Sequence, residues 1–203
     1  TTQIDHYDNI TEVFDIIKRI NTILIDLNVD IWLYISINYF KLKTISGEVG
    51  SSTMPHKVNP INFENSEGNL YMANGILNIF SQKLPISRYQ RDLSDSTICR
   101  NFGTAFGYSL LAYESLITGL NKLEINRIPI EKDLNSNWSI LTEAIQCVMK
   151  TENIDNAYEI IKNHSRGLDT EFTKDTYLEL VNSLDISNEN KERLLKLTPQ
   201  YYY

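Results

Sequence analysis

The chemically apt residues of this chain gather in one stretch, Gly47-Glu48-Val49-Gly50-Ser51-Ser52-Thr53-Met54-Pro55-His56-Lys57-Val58-Asn59-Pro60. It is glycine-rich at its start, is interrupted by Pro55 and has neither helical nor strand periodicity, yet strongly helical segments flank it. Loops of this length inside a helical protein are usually functional. Two serines follow Gly50, and Lys57 lies six residues after Ser51. Asn59 and Pro60 read as the N-cap and first residue of the next helix. The loop would then end on a helix N-terminus, whose free amides attract negative charge. Read without further context, a Gly-Ser-Ser run is a flexible loop and Lys57 a solvated lysine.

A second block, Ser87-Arg88-Tyr89-Gln90-Arg91-Asp92-Leu93-Ser94-Asp95-Ser96-Thr97-Ile98-Cys99-Arg100-Asn101, puts three arginines into an otherwise acidic chain. Arginine pairs bidentately with carboxylate or phosphate. The plainer alternative is a salt-bridged surface around Asp92 and Asp95. No His, Cys, Asp or Glu spacing suggests a metal site, and there is no phosphate-cradling Walker pattern. Neither a metal nor a cofactor is expected.

The run Ser51 to Pro60 resembles the signature loop of the fumarase/aspartase superfamily, which eliminates fumarate from succinyl-type substrates. His56 before Lys57, together with the Ser87 to Asn101 block, resembles the adenylosuccinate lyase branch. The resemblance extends from Thr1-Thr2-Gln3-Ile4 to Leu197-Thr198-Pro199. It implies that Ser51 is the general base, with Lys57 also catalytic. A free serine hydroxyl is far too weak an acid for that role, so nearby positive charge must activate it; Lys57 and exposed loop amides are the natural helpers. The resemblance further assigns substrate binding to Gln3, Ser52, Met54, Asn59, Asn65, Arg91, Ser96, Thr97 and Arg100, the last four toward the nucleotide and its phosphate. Asn65 and Ser66 fall on the first turns of the following helix, where they could face the site.

Elimination also needs an acid to protonate the leaving nitrogen. In the family this is a histidine of the N-terminal half, and none of His6, His56 and His164 is a convincing substitute. The reactions implied are adenylosuccinate to AMP and fumarate, and SAICAR to AICAR and fumarate. The assembly implied is a cytoplasmic homotetramer whose active sites are shared between subunits, with no nucleic-acid or membrane partner. Two alternatives stay open: another superfamily lyase such as argininosuccinate lyase, or, for this chain by itself, a non-catalytic helical assembly module.

The elements that must position these residues are helical. Ile10, Val13, Phe14, Ile17, Ile20, Leu24, Leu27 and Ile31 step by threes and fours, which predicts a long amphipathic helix over about 8–40, roughly 45 Å in length. Phe63, Leu70, Ala73, Leu77, Phe80 and Leu84 form a second stripe, stopped by Pro85. Phe102, Phe106, Leu110, Tyr113, Leu116, Leu120 and Leu123 form a third. Gly103 and Gly107 sit one turn apart within it, a spacing that suggests close approach of a neighbouring helix. Beyond Asn126-Arg127-Ile128-Pro129 shorter helices are expected at 139–149, 157–163, 173–184 and 189–195, with Ser187 as a cap. No strand or hairpin pattern is visible. The expected fold is therefore all-α: a long-helix bundle over 1–124, part of the superfamily's five-helix central domain, and a small helical domain over 125–203.

Composition narrows the function classes. A chain of 203 residues can hold one good core, or one core and a satellite. Its net charge of -7 argues against a general nucleic-acid surface but not against a local anion site. Cys99 and Cys147 read as reduced, buried thiols. No apolar run approaches the ~20 residues of a membrane helix, and the first ten residues lack the basic segment of a secretory leader. The absence of an initial methionine, with a helix following almost at once, suggests a fragment lacking an N-terminal half.

Overall fold

The computed structural model describes residues 3–43, 59–90, 93–165 and 172–202. The chain divides into two compact units, Thr1–Asn126 and Arg127–Tyr203. The described regular structure is helical apart from one short two-stranded ribbon, as expected of an all-α bundle.

Unit one contains α1 (Asp8–Ser36), β1 (Phe40–Leu42), α2 (Ile61–Lys83), α3 (Ser94–Cys99), α4 (Phe102–Lys122) and β2 (Leu123–Ile125), with a 3-10 turn at Arg88–Gln90. α1 ends short of the expected Phe40. Asn38 takes a left-handed backbone (φ 66°). Its N–H donates to the Ile35 carbonyl at 3.0 Å, and the Tyr39 N–H donates to the Tyr34 carbonyl at 2.8 Å. These paired bonds make a Schellman cap, and asparagine tolerates the left-handed position better than most residues. The chain then enters β1, which pairs antiparallel with β2 in the register Phe40–Ile125, Lys41–Glu124 and Leu42–Leu123. The expectation of no strand is thus corrected. Three residues are too few for alternation to show in a sequence.

α2 packs against both α1 and α4. Its stripe of Phe63, Leu70, Ala73, Leu77, Phe80 and Leu84 is buried throughout. The other two stripes are not what they suggested. On α1 the buried positions are Thr11, Phe14, Asn21, Ile25, Asn28 and Ile31, while Val13, Ile20 and Leu27 of the expected stripe are exposed. On α4 the buried face is Ala105, Ser109, Ala112, Leu116 and Gly119; Phe106, Leu110 and Leu120 are exposed. The large side chains of α2 need small ones opposite them, so α4 turns its small face inward. A Cβ on Gly119 would lie 2.9 Å from the Phe63 ring, whereas one on Gly103 or Gly107 would meet nothing within 4 Å. The close approach exists, but at Gly119.

The core of unit one is layered. Phe14, Leu77, Phe80, Leu84 and Ala105 form one apolar cluster; Ile25, Leu70 and Ala112 form a second; Ile31, Phe63 and Leu116 form a third. Polar layers separate them. Buried Asn21 donates to Asn74 Oδ1 (3.0 Å) and Ser109 Oγ (3.3 Å) and accepts from the Tyr113 hydroxyl (2.5 Å). Buried Asn28 donates to Ser66 Oγ (3.0 Å) and to the Leu24 carbonyl (2.8 Å). Polar residues at such positions specify helix register, at a cost in stability.

Unit two contains α5 (Arg127–Ser136), a 3-10 turn at Trp138–Leu141, α6 (Thr142–Thr151), α7 (Ala157–Ser165), α8 (Lys174–Ser183), α9 (Asn188–Lys196) and a last 3-10 turn at Pro199–Tyr201. α5 was not among the expected helices; Pro129 stands in its first turn and none of its residues is fully buried. Leu141, Ile145, Met149, Tyr177, Leu180, Val181 and Leu194 centre one apolar core. Tyr177 is the largest fully buried side chain in it, and its hydroxyl donates to the Leu194 carbonyl at 2.8 Å. Thr173 and Ser187 cap α8 and α9 by accepting from the N–H groups of Thr176 and Asn190.

Candidate active site

Two groups of candidate residues can be placed, and they lie at opposite ends of α2. The first is at its N-terminus. Asn59 is half-buried. Pro60, not Asn59, occupies the N-cap; its carbonyl accepts from Phe63 N–H (3.0 Å) and Glu64 N–H (3.2 Å), and no side chain caps the helix. The expected cap is corrected by one residue because Pro60 has a non-helical ψ of 47°. Asn65 is exposed, and its carbonyl and Oδ1 accept from Asn69 Nδ2 at 2.8 and 3.2 Å. Ser66 does not face a site: it is fully buried against Asn28. One residue is 100° of helix, enough to send Asn65 outward and Ser66 inward. Glu64 accepts from Trp32 Nε1 at 3.0 Å.

The second group is at the other end. Ile98 and Cys99 of α3 pack on the cluster that holds Leu77, Phe80 and Leu84. Ser96, Thr97 and Arg100 are exposed there. Ser96 Oγ donates to the Leu93 carbonyl (2.9 Å), and Ser96 N–H donates to Asp95 Oδ1 (2.7 Å). Thr97 and Arg100 stand one helical turn apart. Arg100 makes no ion pair among the described residues. A hydroxyl and a guanidinium so spaced suit an anion with several oxygens.

Asp95 Oδ2 accepts from the Tyr7 hydroxyl at 2.7 Å. That bond ties α3 to the residue just before α1, four positions after exposed Gln3. It also raises the Tyr7 phenol to about 12, the hydrogen bond to Asp95 being the main cause and burial the next. Asp95 entered the sequence reading only as a surface ion-pair partner, and Tyr7 not at all. No local pattern links residues 88 positions apart.

Asn65 and Phe80 are 15 residues apart on one helix, about 22 Å at 1.5 Å per residue. One chain therefore does not bring Asn59 and Asn65 together with Ser96, Thr97 and Arg100. Ser51, Ser52, Met54, His56, Lys57 and Arg91 lie outside the described residues. His6 is exposed with Nε2 3.3 Å from Asp8 Oδ2, and His164 is exposed on α7 with Nδ1 against the Ile160 carbonyl. Both cysteines are free, but Cys147 is exposed and Cys99 half-buried, which corrects the expectation of two buried thiols. Among the described residues no His, Cys, Asp and Glu group could hold a metal, and no helix is long and apolar enough to cross a membrane.

Residues 87–203 match the family model described as adenylosuccinate lyase C-terminal, and residues 1–75 match one described as lyase. The chain is 53% identical over 202 residues to the adenylosuccinate lyase of Haemophilus influenzae. It is 54% identical over 204 residues to that of Legionella pneumophila strain Corby and 50% identical over 204 residues to that of Escherichia coli K12. Each match covers all of this chain but 44% of the relative, so the chain spans less than half the length of the curated relatives it matches.

Proposed function

The chain belongs to the adenylosuccinate lyase C-terminal family, and on that premise we propose that it supplies the base-bearing part of an adenylosuccinate lyase. The reaction is elimination of fumarate from adenylosuccinate, leaving AMP, and from SAICAR, leaving AICAR. Ser51 removes the carbon-bound proton beside a succinyl carboxylate. The electron pair forms the carbon–carbon double bond as the carbon–nitrogen bond breaks, and an acid outside this chain protonates the nitrogen. Lys57 stabilises the charge that develops on the carboxylate. Gln3, Ser52, Met54, Asn59 and Asn65 hold the substrate, and Arg91, Ser96, Thr97 and Arg100 hold the nucleotide phosphate. The two units act as part of a central helical domain and a small C-terminal domain, in a cytoplasmic protein.

The observation that carries the arrangement is the separation along α2. Residues about 22 Å apart on one helix cannot close on one small substrate from the same chain. Copies of the chain must bring the two ends together, which supports a homotetramer with shared active sites. The exposed seam Val13, Ile16, Ile20, Ile23 and Leu27, spaced as a heptad, offers a surface for such packing.

The test is fumarate release from adenylosuccinate by the full-length protein and its Ser51→Ala variant. The variant is expected to lose turnover while keeping substrate affinity, because the base acts in the transition state. Retention of more than about a tenth of turnover removes Ser51 from the role.

A further inference from the structure

Tyr7 has features that its place at the start of α1 does not require. Its backbone is left-handed (φ 61°), a conformation disfavoured for a residue with a side chain. Its side chain does not cap α1. It instead packs on the Phe14, Leu77 and Phe80 cluster, against which Ile98 and Cys99 of α3 also pack, and its hydroxyl reaches Asp95. Asp95 uses both carboxylate oxygens: Oδ2 accepts from Tyr7, and Oδ1 accepts from the Ser96 N–H. The α1 entry and the first turn of α3 are thereby linked through one side chain.

We infer that Tyr7 is a positioning residue for the phosphate-binding segment: acting through Asp95, it fixes α3 so that Thr97 and Arg100 meet the nucleotide phosphate together. This rests on the proposed phosphate role of α3. α3 is a single six-residue helix that buries no residue completely, so its own packing holds it weakly. A charge-assisted bond from a separate element supplies an anchor where the helix meets ligand. It also occupies a carboxylate that lies next to an anion site and that, left mobile, would compete for the same guanidinium.

The experiment measures AMP and adenosine binding to the full-length protein. Tyr7→Phe removes only the hydroxyl and keeps the ring in its cluster. It is expected to weaken AMP about fivefold, the worth of one hydrogen bond, and to leave adenosine unchanged. It should raise KM for adenylosuccinate by a similar factor with kcat within about twofold. In an Asp95→Ala background, which has no side-chain partner for the hydroxyl, adding Tyr7→Phe should have no further effect on AMP. Equal weakening of AMP and adenosine, or additive effects of the two substitutions, overturns the inference. Arg100→Ala separates it from the reading beneath it. If Arg100→Ala weakens AMP and Tyr7→Phe does not, only the inference fails. If Arg100→Ala leaves AMP binding intact, the phosphate role of α3 fails and the inference with it.

Discussion

Both units bury apolar clusters, but only unit one interleaves them with buried polar side chains. Unit two closes an all-apolar core and leaves only Ile128, Tyr158, Leu195 and Tyr201 as large exposed hydrophobics among its described residues. Unit one buries Thr11, Asn21, Asn28, Ser66 and Ser109 among its helices, yet exposes Val13, Ile16, Ile20, Ile23, Leu27, Phe106, Leu110, Ile117 and Leu120 outside them. A monomer gains nothing from hiding asparagine and showing isoleucine. The pattern is what a helix trio looks like when its polar layers set register inside and its apolar seams are meant for other helices. Unit two, by contrast, looks finished.

The largest effect should come from the most exposed seam. Ile23 is 69% exposed, so Ile23→Asp would be harmless if unit one stood alone. If the seam packs on other copies, the full-length variant should lose its assembly and its activity together. Ile128→Asp, at a position 79% exposed in unit two, should change neither. Analytical ultracentrifugation of the pair decides it; an intact assembly in Ile23→Asp breaks the contrast.

Next in size, Leu141→Ala empties the centre of unit two, where Leu141 is fully buried. About 3 kcal/mol of stability should go with it, as for other leucine truncations in tight cores. Denaturant unfolding reads this directly, and a loss under about 1 kcal/mol would mean that unit two is not the tight core it looks.

A smaller change of opposite sign tests the polar layers. Asn28 Oδ1 is buried without a hydrogen-bond partner. Replacing the pair by Asn28→Leu with Ser66→Ala should stabilise unit one by about 1 kcal/mol, because both partners leave at once. If register is what the pair provides, assembly should become heterogeneous even as the melting temperature rises.

The smallest effect belongs to Glu152, which ties α6 to the cap of α9. It accepts from Ser187 N–H (2.8 Å) and Asn190 Nδ2 (2.6 Å) and from the Ser187 hydroxyl. These bonds, the Ser187 hydroxyl's first, hold its carboxyl below the ordinary value of 4.5. A depressed folded-state value contributes stability that is present above 4.5 and lost as pH falls through the lower folded value. Glu152→Gln should flatten the fall in melting temperature on that acid limb. An unchanged slope assigns the acid limb to other carboxylates.

The sequence showed the helices but misjudged which faces meet. The α2 stripe was legible because every residue read into it is buried, although Ile61, Tyr71, Met72 and Ile79 on the other faces of the helix are exposed. The stripes of α1 and α4 misled because periodicity reports where apolar residues lie, not what covers them: α1 carries two apolar faces, and α4 hides its small one. The Asn38 cap was a readable signal that periodicity overran. Of the candidate site, Gln3, Asn59, Asn65, Ser96, Thr97 and Arg100 were legible as residues, but their division between two ends of a helix was not.

By itself the sequence determined the helical class, the family and the residue types from which a site can be built. These are local properties: spacing, caps and motif identity survive in a string of letters. Only the tertiary structure decided that Ser66 turns inward while Asn65 turns out, that Gly119 rather than Gly103 admits a neighbour, and that Tyr7 reaches Asp95. Each depends on the rotation of one helix against another. That rotation is set by the fit of large side chains into small ones across the interface, which no single segment encodes.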